Sequence, residues 1–316
     1  MKAILVGAGG FGYRWYETLR EFHGDLQLAV VDVDEGKRGL IEKDGVPFYT
    51  SAPEAIERER PDMLLNFTPK EWHAAIDHLA FDHKLPVFSE KPIAGHYREA
   101  VEVVERAARE NIPFMIGENY RAFVFSRRIR QLIDRGAIGD IVAIHGEFNR
   151  FSDRRSKETE SQYRVLEELV VHHFDLLRYW TGREAERVFA SYTHHLLIWI
   201  GMQEGVTASF RCLSSPGRQT DWAGNWRIDG TLGSLELIDN KVLLTVDGKT
   251  TAADGDYKEV YAPGPFGEFL LSIALKREAE TSGSRYLPNQ ALAHFARESI
   301  RTGQPIDIVA GLETTS

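Results

Sequence analysis

Short apolar runs alternate with amphipathic stretches along the N-terminal part of the chain. The runs have the length and the continuous apolar character of buried parallel strands. They cover residues 3–6, 26–31, 46–49, 63–67, 86–89 and 113–116. The stretches between them carry apolar residues at helical spacing, most clearly in residues 72–83 and 97–109. Repeated strand–helix units of this kind predict a parallel sheet with helices on both faces.

After Gly182 the pattern changes to short strands in which apolar and polar residues alternate. Between residues 206 and 212 every second residue is apolar, which is typical of a strand with one buried face. Similar runs occupy residues 187–192, 196–200, 226–229 and 242–246. Helices are predicted for residues 127–135, 165–180, 265–279 and 288–302. Residues 151–164 are polar and irregular, as is typical of a loop at a cleft.

The length and composition are those of a globular protein with two domains. The chain has 316 residues, which is long for one core, and 43% of them are hydrophobic and 27% charged. A formal net charge of −9 argues against nucleic acid or an anionic membrane as a partner. No apolar stretch approaches the roughly 20 residues that a bilayer requires. A single cysteine, Cys212, and a first strand directly after Met1 favour a cytoplasmic protein without a signal peptide.

Three glycines at the spacing G-x-G-x-x-G directly follow the first predicted strand. Gly7 permits a tight turn, Gly9 allows the backbone to approach a pyrophosphate, and Gly12 allows the next helix to pack on the strand. The same loop contains Gly10 and Phe11, whose amides open that helix. The start of a helix offers free N–H groups and a partial positive charge, so the loop predicts a phosphate-binding site.

Asp32 ends the second predicted strand, 20 residues after Gly12. A carboxylate there is placed to accept hydrogen bonds from the adenosine ribose. The order of these features predicts a bound dinucleotide, and the alternative is a glycine turn that binds nothing. At about 5 Å the carboxylate would repel each charge of a 2′-phosphate by roughly 3 kcal/mol at a dielectric constant of about 20. NAD is therefore the predicted cofactor. NADP is the alternative, because Lys37 and Arg38 lie close enough in sequence to weaken the bias.

Polar residues also follow two later strands of the predicted parallel sheet. Ligands of such sheets bind beyond the carboxyl ends of the strands. Asn66, Thr68 and Pro69 lie at the end of one strand and are predicted to line the cofactor cleft, although they are equally compatible with a strand that proline simply ends. Glu90 and Lys91 follow the next strand. The proline after Lys91 favours an extended backbone, so its ammonium can project into the cleft; the alternative is a solvated lysine.

One helix of the second half carries a stripe of titratable residues. Glu168, His172 and Asp175 are spaced i, i+4 and i+7, so they share one face of the helix predicted at 165–180. Histidine titrates near neutral pH, and a carboxylate one turn away can orient it. One alternative is an exposed ion pair without a further role. The other is a metal site that includes His173, but adjacent histidines diverge on a helix, so we expect no metal.

The order of these motifs resembles that of the Gfo/Idh/MocA oxidoreductases, which include glucose–fructose oxidoreductase and inositol dehydrogenase. The resemblance rests on the G-x-G-x-x-G loop, Asp32, residues 66–69 and Glu90-Lys91-Pro92. It continues with Asn119-Tyr120-Arg121, where the family leaves its Rossmann domain, and with residues 136–139 and 228–234.

The resemblance implies an α/β fold in two domains. Residues 1–118 would form a Rossmann dinucleotide-binding domain with a parallel sheet. Residues 119–316 would form a substrate-binding and oligomerisation domain with a large, mainly antiparallel open sheet. Because a sheet with an uncovered face needs a partner, we expect a homodimer or a homotetramer.

The resemblance also implies an activity, hydride transfer between a nicotinamide and a secondary alcohol of a sugar, polyol or cyclitol. His172 matches the family's histidine and is the expected base, and Lys91 would stabilise negative charge on the substrate oxygen. Glu168 stands where the family usually has Asp, and Val170 replaces its glycine. Glu168 is nevertheless the residue expected to orient the imidazole.

Three further residues are expected to hold other hydroxyls of the substrate: Tyr120, Arg121 and Asp175. The departures at Glu168 and Val170 leave two alternatives open. One is a regulatory protein that binds a dinucleotide or a sugar without catalysis. The other is a glycosidase-like enzyme of the same fold that recycles its NAD.

Overall fold

The computed structural model describes residues 1–150, 165–193, 195–213, 217–253 and 264–315. The loop predicted at 151–164 therefore lies outside the described residues. The chain forms two compact units. The first consists of Met1–Gly117 and Pro265–Leu287, and the second of Glu118–Gly264 and Pro288–Ser316.

A six-stranded parallel sheet forms the centre of the first unit. Its strands are β1 (Lys2–Val6), β2 (Gln27–Val31), β3 (Phe48–Tyr49), β4 (Met63–Asn66), β5 (Val87–Ser89) and β6 (Phe114–Ile116). They lie in the order β3-β2-β1-β4-β5-β6. The strand order therefore changes direction between β1 and β4, which is where ligands of such sheets bind.

The helices of this unit pack their apolar faces on the sheet. They are α1 (Gly10–Phe22), α2 (Arg38–Glu42), α3 (Ala52–Glu59), α4 (Lys70–Asp82) and α5 (Tyr97–Arg109). Ser51 caps α3 by accepting the amide of Glu54 at 3.5 Å, as the sequence Ser-Ala-Pro-Glu predicts. In α5 the buried residues Ala100, Val103, Val104 and Ala107 recur at helical spacing, so one stripe faces the core.

A nine-stranded sheet dominates the second unit. Its strands are β7 (Ile141–Asn149), β8 (Ala185–Tyr192), β9 (Leu196–Met202), β10 (Thr207–Leu213), β11 (Asn225–Gly230), β12 (Gly233–Ile238), β13 (Lys241–Val246), β14 (Lys249–Ala252) and β15 (Ile306–Asp307). The order is β14-β13-β12-β11-β7-β10-β9-β8-β15. β7 and β10 pair in parallel, and the other neighbours pair antiparallel.

These two sheets confirm the predicted α/β fold class, with a parallel sheet and a mainly antiparallel one. The periodicity missed β7, β12, β14 and β15. In β7 and β12 adjacent residues are buried, so strict alternation is broken. All four residues of β14 are exposed, so no buried face marks that strand in the sequence. β15 has two residues, too few for any period to show.

In the second unit α7 (Val171–Thr181) carries His172 and Asp175, and α6 (Val124–Asp134) packs beside it. The fully buried Trp180 joins them, because its indole N–H donates to the carbonyl oxygen of Ser126 at 3.1 Å. Its ring also meets Trp226 of β11 edge-on at 5.2 Å. The helix predicted at 165–180 is interrupted, since Leu166–Val170 form a π-helical turn that leads into α7.

The C-terminal helices are α8 (Pro265–Ala274), α9 (Gly283–Thr302) and α10 (Ile308–Thr315). The prediction that residues 119–316 form one domain differs from the structure at Pro265–Leu287, which pack in the first unit. Phe266 and Phe269 contact Phe88 of β5, with ring centroids 5.8 and 5.7 Å away. Residues 265–287 therefore belong to the first unit because their apolar side chains are buried against the parallel sheet. No helix in the described part of the chain is long and apolar enough to cross a bilayer.

Candidate active site

The glycine loop after β1 has a geometry that only glycine permits at two positions. Gly7 has a φ of +95°, and a Cβ on it would lie 2.5 Å from the carbonyl oxygen of Phe67. A Cβ on Gly12 would lie 1.9 Å from the carbonyl oxygen of Gly7. At Gly9, by contrast, a Cβ would meet only the Lys37 ammonium, at 3.8 Å. The first and third glycines thus close the turn onto β4 and α1, and the second leaves its backbone accessible.

The start of α1 has the features of an anion site. Gly9 caps the helix without a side-chain hydrogen bond, and no acidic residue lies in the first turn. The first amides of a helix have no partner within the helix, so those of Gly10, Phe11 and Gly12 can donate to a ligand. The residues present therefore fit the pyrophosphate of a dinucleotide, in both charge and open backbone.

Asp32 directly follows β2 and lies beside this loop. One oxygen accepts the amide of Ala8 at 2.7 Å and the ammonium of Lys37 at 2.7 Å, and the other accepts the amide of Asp34 at 2.9 Å. Burial opposes ionisation, but these donors hold the pKa of Asp32 below its ordinary value. The carboxylate is therefore charged and fixed, with lone pairs left for ribose hydroxyls.

The structure also separates the two basic residues that follow β2. Lys37 pairs with Asp32, whereas Arg38 is held by Glu35, Glu42 and the carbonyl oxygen of Phe48. Lys37 is therefore the residue that offsets the charge of Asp32.

Asn66, at the end of β4, is expected to line the cofactor cleft, but its side chain is not presented to a ligand. The residue is fully buried, and its amide nitrogen donates to the carbonyl oxygen of His73 at 3.1 Å and to Asp77 at 2.7 Å. Its oxygen accepts the hydroxyl of Thr68 at 2.7 Å and the Thr68 amide at 3.2 Å. Asn66 therefore shapes the loop that carries Thr68 and Pro69.

His73 of α4 is a residue that the sequence analysis missed. Its Nε2 lies 2.8 Å from the carbonyl oxygen of Thr68, and its Nδ1 lies 2.6 Å from that of Pro92. The ring thus bridges the loops after β4 and β5, one of which carries Lys91. Burial lowers the pKa of His73, against the two carbonyl groups that favour the charged ring. The sequence signal that could have indicated this role is the position of His73 in the first turn of a helix, between the strand-ending prolines Pro69 and Pro92.

Glu90 and Lys91 follow β5. Glu90 is buried, its amide donates to the carbonyl oxygen of Asn66 at 2.9 Å, and its carboxylate accepts the amide of Lys91 at 3.1 Å. Glu90 therefore folds back on the backbone of its own loop. Lys91 is partly exposed and precedes a cis proline, Pro92.

In the second unit His172 of α7 is held by a carboxylate, but not by the one predicted. Its Nδ1 lies 2.7 and 2.9 Å from the two carboxylate oxygens of Glu118, which is 1% exposed. Burial opposes ionisation of Glu118, but His172, the Tyr120 amide and Arg121 keep its pKa below the ordinary value. A carboxylate only accepts hydrogen bonds, so Nδ1 carries the proton. In the neutral ring the lone pair is then on Nε2.

The prediction that Glu168 orients His172 is wrong in its choice of acid. The predicted contact assumed regular α-helical spacing between positions 168 and 172. Glu168 lies instead in the π-helical turn Leu166–Val170, whose i→i+5 spacing changes the register ahead of α7. The sequence could not rank Glu118 above Glu168, because Glu118 lies 54 residues away along the chain.

Tyr120 packs flat on the imidazole of His172, with ring centroids 4.3 Å apart and planes inclined by 11°. Burial and the nearby Glu118 raise the pKa of its hydroxyl, so Tyr120 stays neutral. The carboxylate and the phenol ring together fix the position and the plane of the imidazole.

Asp175 and Arg121 are both predicted to hold substrate hydroxyls, but in the structure they form an ion pair with each other. Asp175 is fully buried, and it accepts hydrogen bonds from the Arg121 guanidinium, at 2.8 Å from Nε, and from the side chain of Asn289, at 2.8 Å. The guanidinium also lies over the Tyr179 ring at 5.0 Å. A carboxylate without exposed surface cannot contact a substrate, so the prediction for Asp175 is wrong. Arg121 is the cation that neutralises it.

His173 points away from His172, as expected for adjacent helical residues. It is buried among the rings of Phe148, Phe210 and Trp226, and burial lowers its pKa to about 3. Its Nδ1 faces the carbonyl oxygen of Leu169 at 3.1 Å. His173 is therefore a neutral core residue. In the part of the chain that the structure describes, no group of three or more His, Cys, Asp or Glu side chains is arranged to hold a metal ion.

Two family profiles match the chain over most of its length. One, described as an oxidoreductase family with an NAD-binding Rossmann fold, matches residues 1–118. The other, described as the GFO/IDH/MocA C-terminal domain, matches residues 126–236. The chain belongs to the Gfo/Idh/MocA oxidoreductase family.

Its relatives in this family include sugar and polyol dehydrogenases. D-apiose dehydrogenase of Rhizobium rhizogenes is 24% identical over 345 residues, which cover 99% of this chain and 99% of that protein. Myo-inositol 2-dehydrogenase of Thermotoga maritima is 25% identical over 197 residues, 60% of this chain and 58% of that protein.

A solved structure shares the whole Gfo/Idh/MocA fold. An oxidoreductase from Agrobacterium radiobacter, in complex with NAD+, L-tartaric acid and magnesium, superposes with a TM-score of 0.85 at 22% identity. The match covers 98% of this chain and 99% of that one. Family membership and the glycine loop together confirm the predicted NAD-binding Rossmann domain.

The buried Asp77 beside Asn66 makes stability depend on pH. Burial raises the pKa of Asp77 from 3.8 to about 8, although the hydrogen bond from Asn66 opposes the shift. Between about pH 4 and pH 8 the unfolded chain has lost this proton while the folded chain keeps it. The free energy of unfolding should therefore fall across that window, by on the order of a few kcal/mol.

Asp77→Asn should remove this dependence, because asparagine has no proton to lose and still offers an acceptor to Asn66. The measurement is chemical denaturation of parent and variant at pH 5 and pH 8. The expected result is a smaller loss of stability at pH 8 in the variant. Asp82→Asn, at an exposed position of the same helix, serves as the control. An equal loss in the parent and in Asp77→Asn would contradict the prediction.

Proposed function

We propose that this protein is an NAD-dependent oxidoreductase that transfers a hydride between nicotinamide and a secondary alcohol of a sugar, polyol or cyclitol. The observation that carries the proposal is the arrangement of His172, whose Nδ1 faces the buried Glu118 and whose Nε2 keeps a lone pair. Membership of the family and the names of its relatives support the reaction class.

Alcohol oxidation requires a base for the hydroxyl proton. Bound NAD supplies the acceptor for the hydride. Nε2 of His172 takes the proton, and the charge that forms on the ring is stabilised by Glu118, 2.7 Å from Nδ1. The stacked ring of Tyr120 limits rotation of the imidazole. The site thus meets both requirements of a positioned base, a free lone pair and a fixed direction.

Lys91 is proposed to hold the substrate oxygen. Its ammonium would donate a hydrogen bond to the hydroxyl and stabilise the negative charge that grows there as the proton leaves. His73 and Glu90, which fix the loop around Lys91, support this role. Asp175 is assigned no contact with substrate, because Arg121 and Asn289 occupy it.

His172→Ala should lower kcat by at least about tenfold at neutral pH, because positioned bases contribute about 10²–10⁴-fold. Glu118→Gln should also lower kcat, since an amide cannot stabilise the charged ring as a carboxylate does. Glu168→Gln is the matched control and should leave kcat within about twofold of the parent. The measurement is the rate of absorbance change of NADH with a panel of sugars and polyols, after NADH binding has been verified in each variant. Unchanged turnover in His172→Ala, or equal losses in both glutamate variants, would remove the proposed base.

NADH is proposed to bind more tightly than NADPH. The fixed carboxylate of Asp32 repels a 2′-phosphate, and Lys37 offsets part of that repulsion. Lys37→Ala should therefore weaken NADPH binding more than NADH binding. Arg38→Ala is the control, because Glu35 and Glu42 hold that side chain. Fluorescence titration gives the dissociation constants of NADH and NADPH for the parent and for each of the two variants. Tighter binding of NADPH by the parent would overturn the preference.

The nine-stranded sheet is proposed to mediate assembly into a homodimer or homotetramer. Phe189, Leu197 and Trp199 are 37–46% exposed on one face, where Phe189 of β8 pairs directly with Trp199 of β9. Exposed apolar residues on one sheet face are typical of an interface. Light scattering should give a mass of at least twice the 35.8 kDa of one chain. A monomer mass across a range of protein concentrations would exclude the assembly.

A further inference from the structure

Arg150 has an environment unlike that of the arginines around it. It directly follows β7, and its guanidinium lies over the indole of Trp222, 4.1 Å from the ring centroid. Within the described residues no carboxylate lies within ion-pair distance of it. In the same unit Arg121 is paired with Asp175, and Arg178 is paired with Glu184. The guanidinium of Arg150 is thus held by an aromatic surface, and no carboxylate in the described part of the chain neutralises it.

The same unit places this cation near the proposed base. Phe148, near the end of β7, contacts the Trp222 ring at 6.4 Å and the His173 ring at 4.9 Å, and His173 adjoins His172 on α7. Tyr120, which stacks on His172, meets the His173 ring edge-on at 5.6 Å. Burial raises the pKa of the Tyr120 hydroxyl, whereas the positive charge of Arg150 lowers it. The two groups therefore interact electrostatically.

Two acidic groups among the described residues act on Tyr120 from this neighbourhood, Glu118, which is held by His172, and Asp221. The carboxylate of Asp221 accepts the amide of Trp222 at 3.0 Å and the side-chain amide of Asn240. These contacts hold the Trp222 loop in place. They leave the guanidinium of Arg150 as the available partner for an anion.

We propose that the substrate is an anionic polyhydroxy compound, a sugar acid, and that Arg150 binds its carboxylate while Trp222 holds the guanidinium in place. This inference rests on the proposed function, since it names the class of substrate for the same site. A guanidinium presents a planar fork of N–H donors that matches the two oxygens of a carboxylate. Because the indole fixes the plane of that fork, less side-chain freedom is lost when the ligand binds.

The net charge of the chain strengthens the argument. At −9 the protein as a whole repels an anionic substrate, and a local cation that is not paired with a carboxylate offsets this repulsion. A neutral sugar needs no such group.

The test compares hexuronates with the neutral hexoses of the same configuration, for example galacturonate with galactose and glucuronate with glucose. Binding is measured by calorimetry on NADH-loaded protein, and turnover is measured by NADH absorbance. The hexuronate that binds best should do so at least tenfold more tightly than its neutral counterpart. Arg150→Gln should raise its Kd and KM at least tenfold and change kcat less than threefold, without affecting the neutral sugar. Arg150→Lys should restore part of the loss, and Arg227→Gln, which alters an arginine paired with Asp229, is the control.

The outcomes separate this inference from the proposed function. Binding of a hexuronate that depends on Arg150, without turnover, would support the anion site and contradict the proposed reaction. Turnover of neutral sugars with no preference for acids would support the reaction and overturn the anion site. A preference for sugar phosphates over hexuronates would also overturn it. So would an Arg150→Gln variant that binds NADH normally and keeps the parent's Kd for the acid.

Discussion

The contact between Glu118 and His172 is the constraint on which the proposed chemistry depends. A carboxylate that is 1% exposed is costly to leave without donors. The Nδ1–H of His172, the amide of Tyr120 and the charge of Arg121 supply that stabilisation. The same need that keeps the acid paired fixes the tautomer of the imidazole and leaves Nε2 free to accept a proton. A requirement of folding and a requirement of catalysis are thus met by one contact.

The loops at the carboxyl ends of β4 and β5 follow the same principle. The side-chain nitrogen and oxygen of Asn66 both form hydrogen bonds with neighbouring residues, and His73 bridges carbonyl groups of both loops. The loop that carries Lys91, a side chain expected to face a ligand, is therefore held by buried polar groups that point into the protein. Such loops gain their rigidity from satisfied buried polar atoms, since they have no regular backbone hydrogen bonds of their own.

Charge pairing decides which ionisable residues are available for binding. Asp175 is neutralised by Arg121, and Asp32 is partly offset by Lys37, so neither acts as an isolated charge. Arg150 differs because its neighbour is an indole, which orients a cation without cancelling its charge. A cation that is ordered but not neutralised is able to recognise an anion, and this distinction carries the inference of an acidic substrate.

The sequence by itself determined the parallel sheet, the glycine turn, the position of Asp32, the Glu90-Lys91-Pro92 loop and the place of His172 on a helix. Each of these is encoded by local periodicity or by a few adjacent residues, and backbone sterics alone give Gly7 and Gly12 their roles. Only the tertiary structure decided which acid holds His172, that Asp175 is buried, and that Phe266 and Phe269 pack on β5. Those contacts join residues distant along the chain, and spacing on one helix carries no information about a partner that another element supplies. The π-helical turn before α7 adds a second reason, because a change in helical register is invisible to a pattern that assumes regular spacing.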